Sequence, residues 1–214
     1  MIKLDTRLKT ILNEIHNAET LADIGCDHGK LIVSAILSGR AKKGIAVDIS
    51  ADSLKKTKIL AERYNVEDKI DCLTGDGFLP IKNEVSVAVI AGLGARETAK
   101  ILSGKDIASK YILVPHQDTP VLRRYLMENS FFVDKDFTVK EGRHYYSVIV
   151  ARKGSNNYSD AEIYLGKNIP ESPYFDAWLD NRYDTLKKII EKAGGNAVAG
   201  DLYKEWEVIR QWQD

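Results

Sequence analysis

The residues best suited to chemistry lie together in Ala22-Asp23-Ile24-Gly25-Cys26-Asp27-His28-Gly29. Gly25 allows the backbone to turn tightly beside a ligand, and Gly29 sits where the following helix begins. The spacing is not the Gly-x-Gly-x-x-Gly of pyrophosphate loops, and two aspartates at this place repel a pyrophosphate's charge. They favour a cation instead, such as the sulfonium and ammonium groups of S-adenosylmethionine. Asp48 and Ile49 come next, with Asp48 placed 23 residues after Gly25. A carboxylate there accepts both ribose hydroxyls of a nucleoside. Gly75-Asp76-Gly77 offers a carboxylate to an adenine amino group, with glycines that let the loop close over the ring. Ala91-Gly92-Leu93-Gly94 leaves backbone groups free to face a transferred methyl group and its acceptor. Taken singly, each feature has a plainer reading, since aspartates cap helices and glycine pairs make turns. Their order along the chain is the argument for a bound cofactor.

Such residues act together only if one sheet presents them. Short apolar runs at 20–24, 44–47, 70–73, 85–91 and 111–114 read as buried strands. Helical patterns at 31–37, 50–64, 96–102 and 119–129 alternate with them; Ser50 serves as an N-cap and Pro120 stands in a first turn. That alternation predicts right-handed βαβ units and a parallel sheet covered on both faces. Each chemistry-bearing segment then falls at the carboxyl end of a strand, where doubly wound sheets bind ligands. Leu8, Ile11, Leu12 and Ile15 share one face of an N-terminal helix expected to cover a sheet edge. Two strand-like runs, 131–139 and 145–151, follow the last of these helices and are joined by a turn at 140–144 with no helix between them. A doubly wound sheet closed by such a hairpin is the arrangement of Rossmann-like class I methyltransferases, an analogy at the level of fold.

The segment 154–159 is polar and rich in Gly, Ser and Asn, which sets a boundary between a methyltransferase domain at 1–153 and a helical domain at 159–214. In the latter, Phe175, Trp178, Leu179, Tyr183, Leu186 and Ile190 form a helical stripe, Gly194 and Gly195 break it, and Leu202, Trp206 and Ile209 begin a second. A helical hairpin or coiled coil is expected, its stripes serving as seams between helices.

Of the 214 residues, 31 are basic and 31 acidic, so no overall positive balance announces nucleic acid. The halves differ, however. Residues 1–153 hold 24 basic and 20 acidic side chains, and residues 154–214 hold 7 and 11. Two cysteines and four scattered histidines make neither a disulfide framework nor a metal cluster. No apolar stretch is long enough to span a bilayer, and the start is charged rather than a signal core. A cytoplasmic protein with no membrane and no metal partner is expected, its oligomeric state left open.

The loop at 22–29, Gly-Asp-Gly-Phe at 75–78, Ile-Ala-Gly-Leu-Gly-Ala at 90–95, Leu-Val-Pro-His at 113–116 with Leu122-Arg123, and the segment 158–166 together resemble the TrmK family, which methylates N1 of adenine 22 in bacterial tRNA. The resemblance spans nearly the whole chain. It departs at Gly29-Lys30, where the family has Ala-Tyr, at Gly92-Leu93-Gly94-Ala95 for Gly-Met-Gly-Gly, and at His116 for Asn or Gln. It implies S-adenosylmethionine as cofactor, held by Asp23, Gly25, Cys26, Asp48, Ile49, Gly75, Asp76, Gly77, Ala91 and Gly92, and tRNA as partner. Asp27 is the first candidate for stabilising the adenine cation that forms on methylation, and Asp23 the second. His28 positions the base or caps the next helix, while His116 bonds the substrate or shapes a turn. Arg123 and Arg143 are expected at the RNA, as are Arg40, Lys42, Lys43, Arg124 and Lys140; in the helical region Tyr183, Lys187 and Lys188 are candidates. Three readings compete. An NAD-dependent oxidoreductase shares Asp48 but not the glycine spacing; a methyltransferase of another substrate and a non-catalytic binding module also fit the fold.

Overall fold

A computed structural model describes residues 2–155, 158–193 and 200–213. Seven strands, β1 (Ala18–Ile24), β2 (Ala41–Asp48), β3 (Ile70–Thr74), β4 (Val85–Ala91), β5 (Ala108–Val114), β6 (Phe131–Glu141) and β7 (His144–Lys153), form one sheet in the order β3-β2-β1-β4-β5-β7-β6. The first five are parallel, and β7 pairs antiparallel with β5 and β6. Helices α1 (Thr6–Glu14), α2 (Lys30–Leu37) and α3 (Ala51–Arg63) pack on one face; α4 (Ala95–Gly104) and α5 (Thr119–Glu128) pack on the other. The parallel strands are buried on both faces, which is why they read as unbroken apolar runs.

Three of the parallel strands, β1, β2 and β5, begin before their apolar runs. Ala41 pairs with Ala18 and Ala108 with Val85, so polar Lys42, Lys43 and Ser109 belong to the ladder while their side chains face solvent at the sheet's amino rim. The hairpin is also tighter than expected: β6 and β7 pair through Glu141 and His144, leaving Gly142, at φ 58°, and Arg143 as the turn. Asp5 starts α1 by accepting from Leu8 N at 2.7 Å. Rather than masking a sheet edge, α1 lies across the face of the antiparallel end, where Ile11 and Ile15 are fully buried with Ile112 and Val148. Lys135 on the edge strand β6 holds the far end of α1 through Glu14 at 2.8 Å.

Beyond β7 the chain forms α6 (Asp160–Leu165), α7 (Phe175–Lys192) and α8 (Asp201–Gln213). The six-residue α6 has no apolar periodicity long enough to signal it, but a capping box marks its start: Glu162 N donates to Ser159 Oγ and Ser159 N to the Glu162 carboxylate. Tyr158, Ile163 and Tyr164 join the cluster formed by β4, β5, α4 and α5, so this segment packs as part of the main core. In the pair α7 and α8, Leu179, Leu186 and Ile209 are buried, whereas Leu202, expected in the seam, is 40% exposed. Asn156, Asn157 and the break at Gly194 and Gly195 lie outside the described residues. Among the described residues no helix is long and apolar enough to cross a membrane.

Candidate active site

The chain runs outward from β1 through β2 to β3, then returns to place β4 on the other side of β1. A crevice opens at that reversal, outside the carboxyl ends of the strands. Three loops shape it. After β1, Gly25 (φ 70°) and Gly29 (φ 66°) hold left-handed backbone, and Gly25 N donates to Val47 O at 2.8 Å. A side chain at Gly29 would bring its Cβ within 2.5 Å of Thr57 Cγ2, so the loop lies directly on α3. Thr57 Oγ1 also donates to Asp27 O at 3.1 Å, clamping the loop from below.

Asp48 joins the loops. Its carboxylate accepts from Asp27 N at 3.1 Å and Ser50 N at 2.9 Å, and its carbonyl accepts from Gly75 N at 3.1 Å. A carboxylate offers about four lone-pair sites, so acceptor capacity remains for a ligand's hydroxyls. Asp48 lines neither of the two nearby cavities: one, of about 360 Å³, is lined by Asp5, Arg7, Asp23, Gly25, Asp27 and Gly92, among others, and the other, of about 550 Å³, by Ile49, Asp76, Gly77, Leu79, Lys100 and Ile101. Ile49 and Leu79 are 75% and 81% exposed, an apolar pair suited to a flat aromatic ring. Asp76 stands 3.7 Å from Lys100.

Asp23 is buried, and its carboxyl is pushed up to about 7, first by burial and then by the charge of Asp48, with the Ile32 backbone working against both. No cation of the described residues lies within ion-pair distance of it. Asp27 is exposed at the loop tip and lies 3.6 Å from His28 Nε2. Burial, followed by the Asp23 charge, raises the Cys26 thiol to about 12, so this buried cysteine is a packing residue and not a nucleophile.

The loop therefore gathers Asp23, Gly25, Cys26, Asp27 and His28 with Ala91 and Gly92 around the first cavity, and Ile49, Asp76 and Gly77 line the second. The other substrate candidates lie elsewhere. His116 follows β5 and borders a third cavity of about 380 Å³ with Tyr145, Tyr164, Trp178 and Arg182. Arg143 is exposed at the hairpin tip. Arg123 is a correction to the expected phosphate contact: it is 2% exposed, forms a bidentate pair with Asp136 at 2.8 and 3.0 Å, and donates to the carbonyls of Ile163 and Tyr164. A buried guanidinium satisfied on all sides ties α5 to β6 and α6 and has nothing left for RNA. His28 does not cap α2, whose N-cap Gly29 has no side-chain bond; Nε2 accepts from Lys56 Nζ at 3.0 Å instead.

Arg7 was not legible as a site residue. Only the turn of α1 over the sheet brings it to the cavity, 3.5 Å from where a Cβ on Gly92 would stand and 5.3 Å from the centre of the Tyr146 ring. Leu79 is a second site residue absent from the motifs, and its place just after Gly75-Asp76-Gly77 is the signal that points to it.

A methyltransferase domain model matches residues 4–149. A curated tRNA (adenine(22)-N(1))-methyltransferase of Bacillus subtilis (strain 168) is 30% identical over 178 residues, 81% of this chain and 75% of the relative. The crystal structure of the B. subtilis m1A22 tRNA methyltransferase TrmK superposes with a TM-score of 0.86 at 25% identity, covering all of both chains. M. capricolum TrmK, solved with S-adenosylhomocysteine, gives 0.86 at 23% identity over 98% of this chain and 97% of that one.

Proposed function

The chain belongs to the family of bacterial tRNA (adenine(22)-N(1))-methyltransferases, and on that premise we propose that it transfers a methyl group from S-adenosylmethionine to N1 of adenine 22 in tRNA. The observation that carries this reading is Asp23, a buried carboxylate lining the crevice without a cationic partner among the described residues. A buried charge is costly unless paired, and the positive end of the cofactor supplies the pair. In this assignment Asp23, Gly25 and Cys26 face that end, Asp48 accepts the ribose hydroxyls, and Ile49, Gly75, Asp76 and Gly77 hold the adenine, with Leu79 added.

S-Adenosylmethionine supplies an electrophilic methyl carbon on sulfur. The adenine N1 lone pair forms the new C–N bond as the C–S bond breaks, and its electron pair returns to sulfur; the positive charge moves from sulfur to adenine. No acid or base is needed, because N1 is unprotonated near neutral pH, so the protein's contribution is alignment and electrostatics. Gly92, without a side chain, leaves room for the acceptor to approach, and Ala91 ends the strand that carries it. Asp27, at the rim of the same cavity, faces the base as its charge grows. Residues 1–153, with α6 packed on their core, form the catalytic unit in this reading and α7 and α8 the helical unit, and both work in the cytoplasm on tRNA.

The purified protein, given unmodified tRNA and S-adenosylmethionine, should leave a block to reverse transcription at adenine 22, since N1 methylation spoils the Watson–Crick edge. Methylation at another nucleotide, or none, would overturn the assignment. Asp27→Asn should lower the single-turnover rate by ~10²–10³ while both ligands bind nearly as before. A normal rate moves the role to Asp23, and collapse of cofactor affinity makes Asp27 a cofactor ligand.

A further inference from the structure

Beside the mouth of the first cavity, α2 and α3 form a shallow groove of about 180 Å³ lined by His28, Lys30, Lys56, Ile59, Leu60 and Arg63. His28 and Lys30 line both spaces, so the groove runs into the cavity. Lys56, Ile59, Leu60 and Arg63 occupy the i, i+3, i+4 and i+7 positions of α3, one face of the helix. Of these four only Leu60 packs, half-buried against the core. Lys56, Ile59 and Arg63 are exposed, Ile59 at 48%. Lys30, Lys56 and Arg63 bring three positive charges, and no carboxylate of the described residues lies within 4.0 Å of any of their nitrogens. Lys56 gives one hydrogen bond to the imidazole of His28, a contact that leaves its charge uncompensated.

Several of the cations selected from sequence alone are already engaged. Arg40 bonds to the Asn13 side chain and the Ile15 carbonyl, Lys42 pairs with Glu19, and Arg124 pairs with Asp201. Lys42 also sits at the amino rim of the sheet, opposite the crevice. The groove differs in being concave, uncompensated and continuous with the reacting cavity.

We propose that this groove holds the RNA strand next to the target adenine, with Lys30, Lys56 and Arg63 on its phosphates and Ile59 and Leu60 against a sugar or an unstacked base. The proposal rests on the reading of the chain as a tRNA methyltransferase. Adenine N1 lies on the Watson–Crick edge, so the nucleotide must leave its pair or stack to react. Its flanking phosphates then come to the cavity mouth, where an anionic strand needs cations and an apolar surface at once.

The test compares wild type with Lys56→Gln/Arg63→Gln, and with Lys42→Gln/Lys82→Gln, which removes the same charge from two exposed lysines outside the groove, one in β2 at the amino rim of the sheet and one three residues before β4. Binding of unmodified tRNA is measured from 50 to 300 mM salt. The groove variant should bind about tenfold more weakly, with the slope of log K against log salt shallower by roughly 1–2, the value of one or two lost phosphate contacts. Its affinity for S-adenosylhomocysteine should stay within about twofold of wild type. Wild-type affinity and slope in the groove variant would overturn the proposal, as would an equal loss in the control. Should the wild type itself neither bind nor methylate tRNA, the functional reading beneath the proposal falls, a result distinct from a groove variant that merely behaves like wild type.

Discussion

Asp23 shows what the site costs the fold. In the unfolded chain its carboxyl titrates near 3.8 and in the native state near 7, so between those values the native state keeps a proton that the unfolded chain has lost. Stability contributed by this group therefore falls as pH rises across that window, and the full penalty, on the order of a few kcal/mol, stands above pH 7. Asp23→Asn should raise the melting temperature of the ligand-free protein by roughly 5 °C or more at pH 8 and by little at pH 4. Equal melting at pH 8 would show that the carboxylate is already compensated. A cationic ligand prefers the ionised form, so cofactor affinity in the wild type should weaken below pH 7, and the asparagine variant should lose both that dependence and most of its affinity. Asp23, Asp48 and Asp76 were legible because strand ends can be read from apolar runs. Arg7 and the buried role of Arg123 were not, since each depends on contacts between segments far apart in the chain, about which periodicity is silent.

Among the elements, the joint of α5, β6 and α6 turns on Arg123. Removing one partner of a buried ion pair leaves the other charge stranded, and Arg123→Ala should cost about 3–5 kcal/mol in chemical denaturation. The salt dependence of tRNA binding should be unchanged in protein that remains folded; a shallower slope would mean that Arg123 does reach phosphate. The alternation of strand and helix, the closing hairpin and the two long C-terminal helices could all be read from the sequence, because each repeats an apolar period over enough residues. The helix α6 could not be, being six residues long, and neither could the polar starts of β2 and β5, which are strand by virtue of ladder pairing alone. The hairpin turn is shorter than its polar composition implies, because Lys140, Glu141 and His144 are polar residues that nonetheless pair.

For the molecule as a whole, both cavities assigned to the cofactor are lined by residues no later than Lys105, and α7 and α8 contribute nothing to them. Ending the chain at Pro173 retains α6 and its tie to Arg123 while removing the helical pair. Once near-ultraviolet circular dichroism shows it to be folded, this shortened protein should bind S-adenosylhomocysteine within about threefold of wild type but transfer methyl to tRNA at least tenfold more slowly; undiminished transfer would deny the helices any part in substrate handling. Their attachment carries a further consequence. Arg124 joins α5 to Asp201 at the start of α8, Arg182 grips Glu205 at 2.7 Å between α7 and α8, and Asp136 pairs with Ile169 along the backbone. Braced to the sheet domain at two points and tied within itself by a third, the helical arm is held beside the crevice like the fixed jaw of a caliper. In an enzyme so built, target choice should follow length: if the tRNA body rests on the arm, moving the adenine along the RNA by a nucleotide should abolish its methylation, and equal methylation would show that the span does not matter.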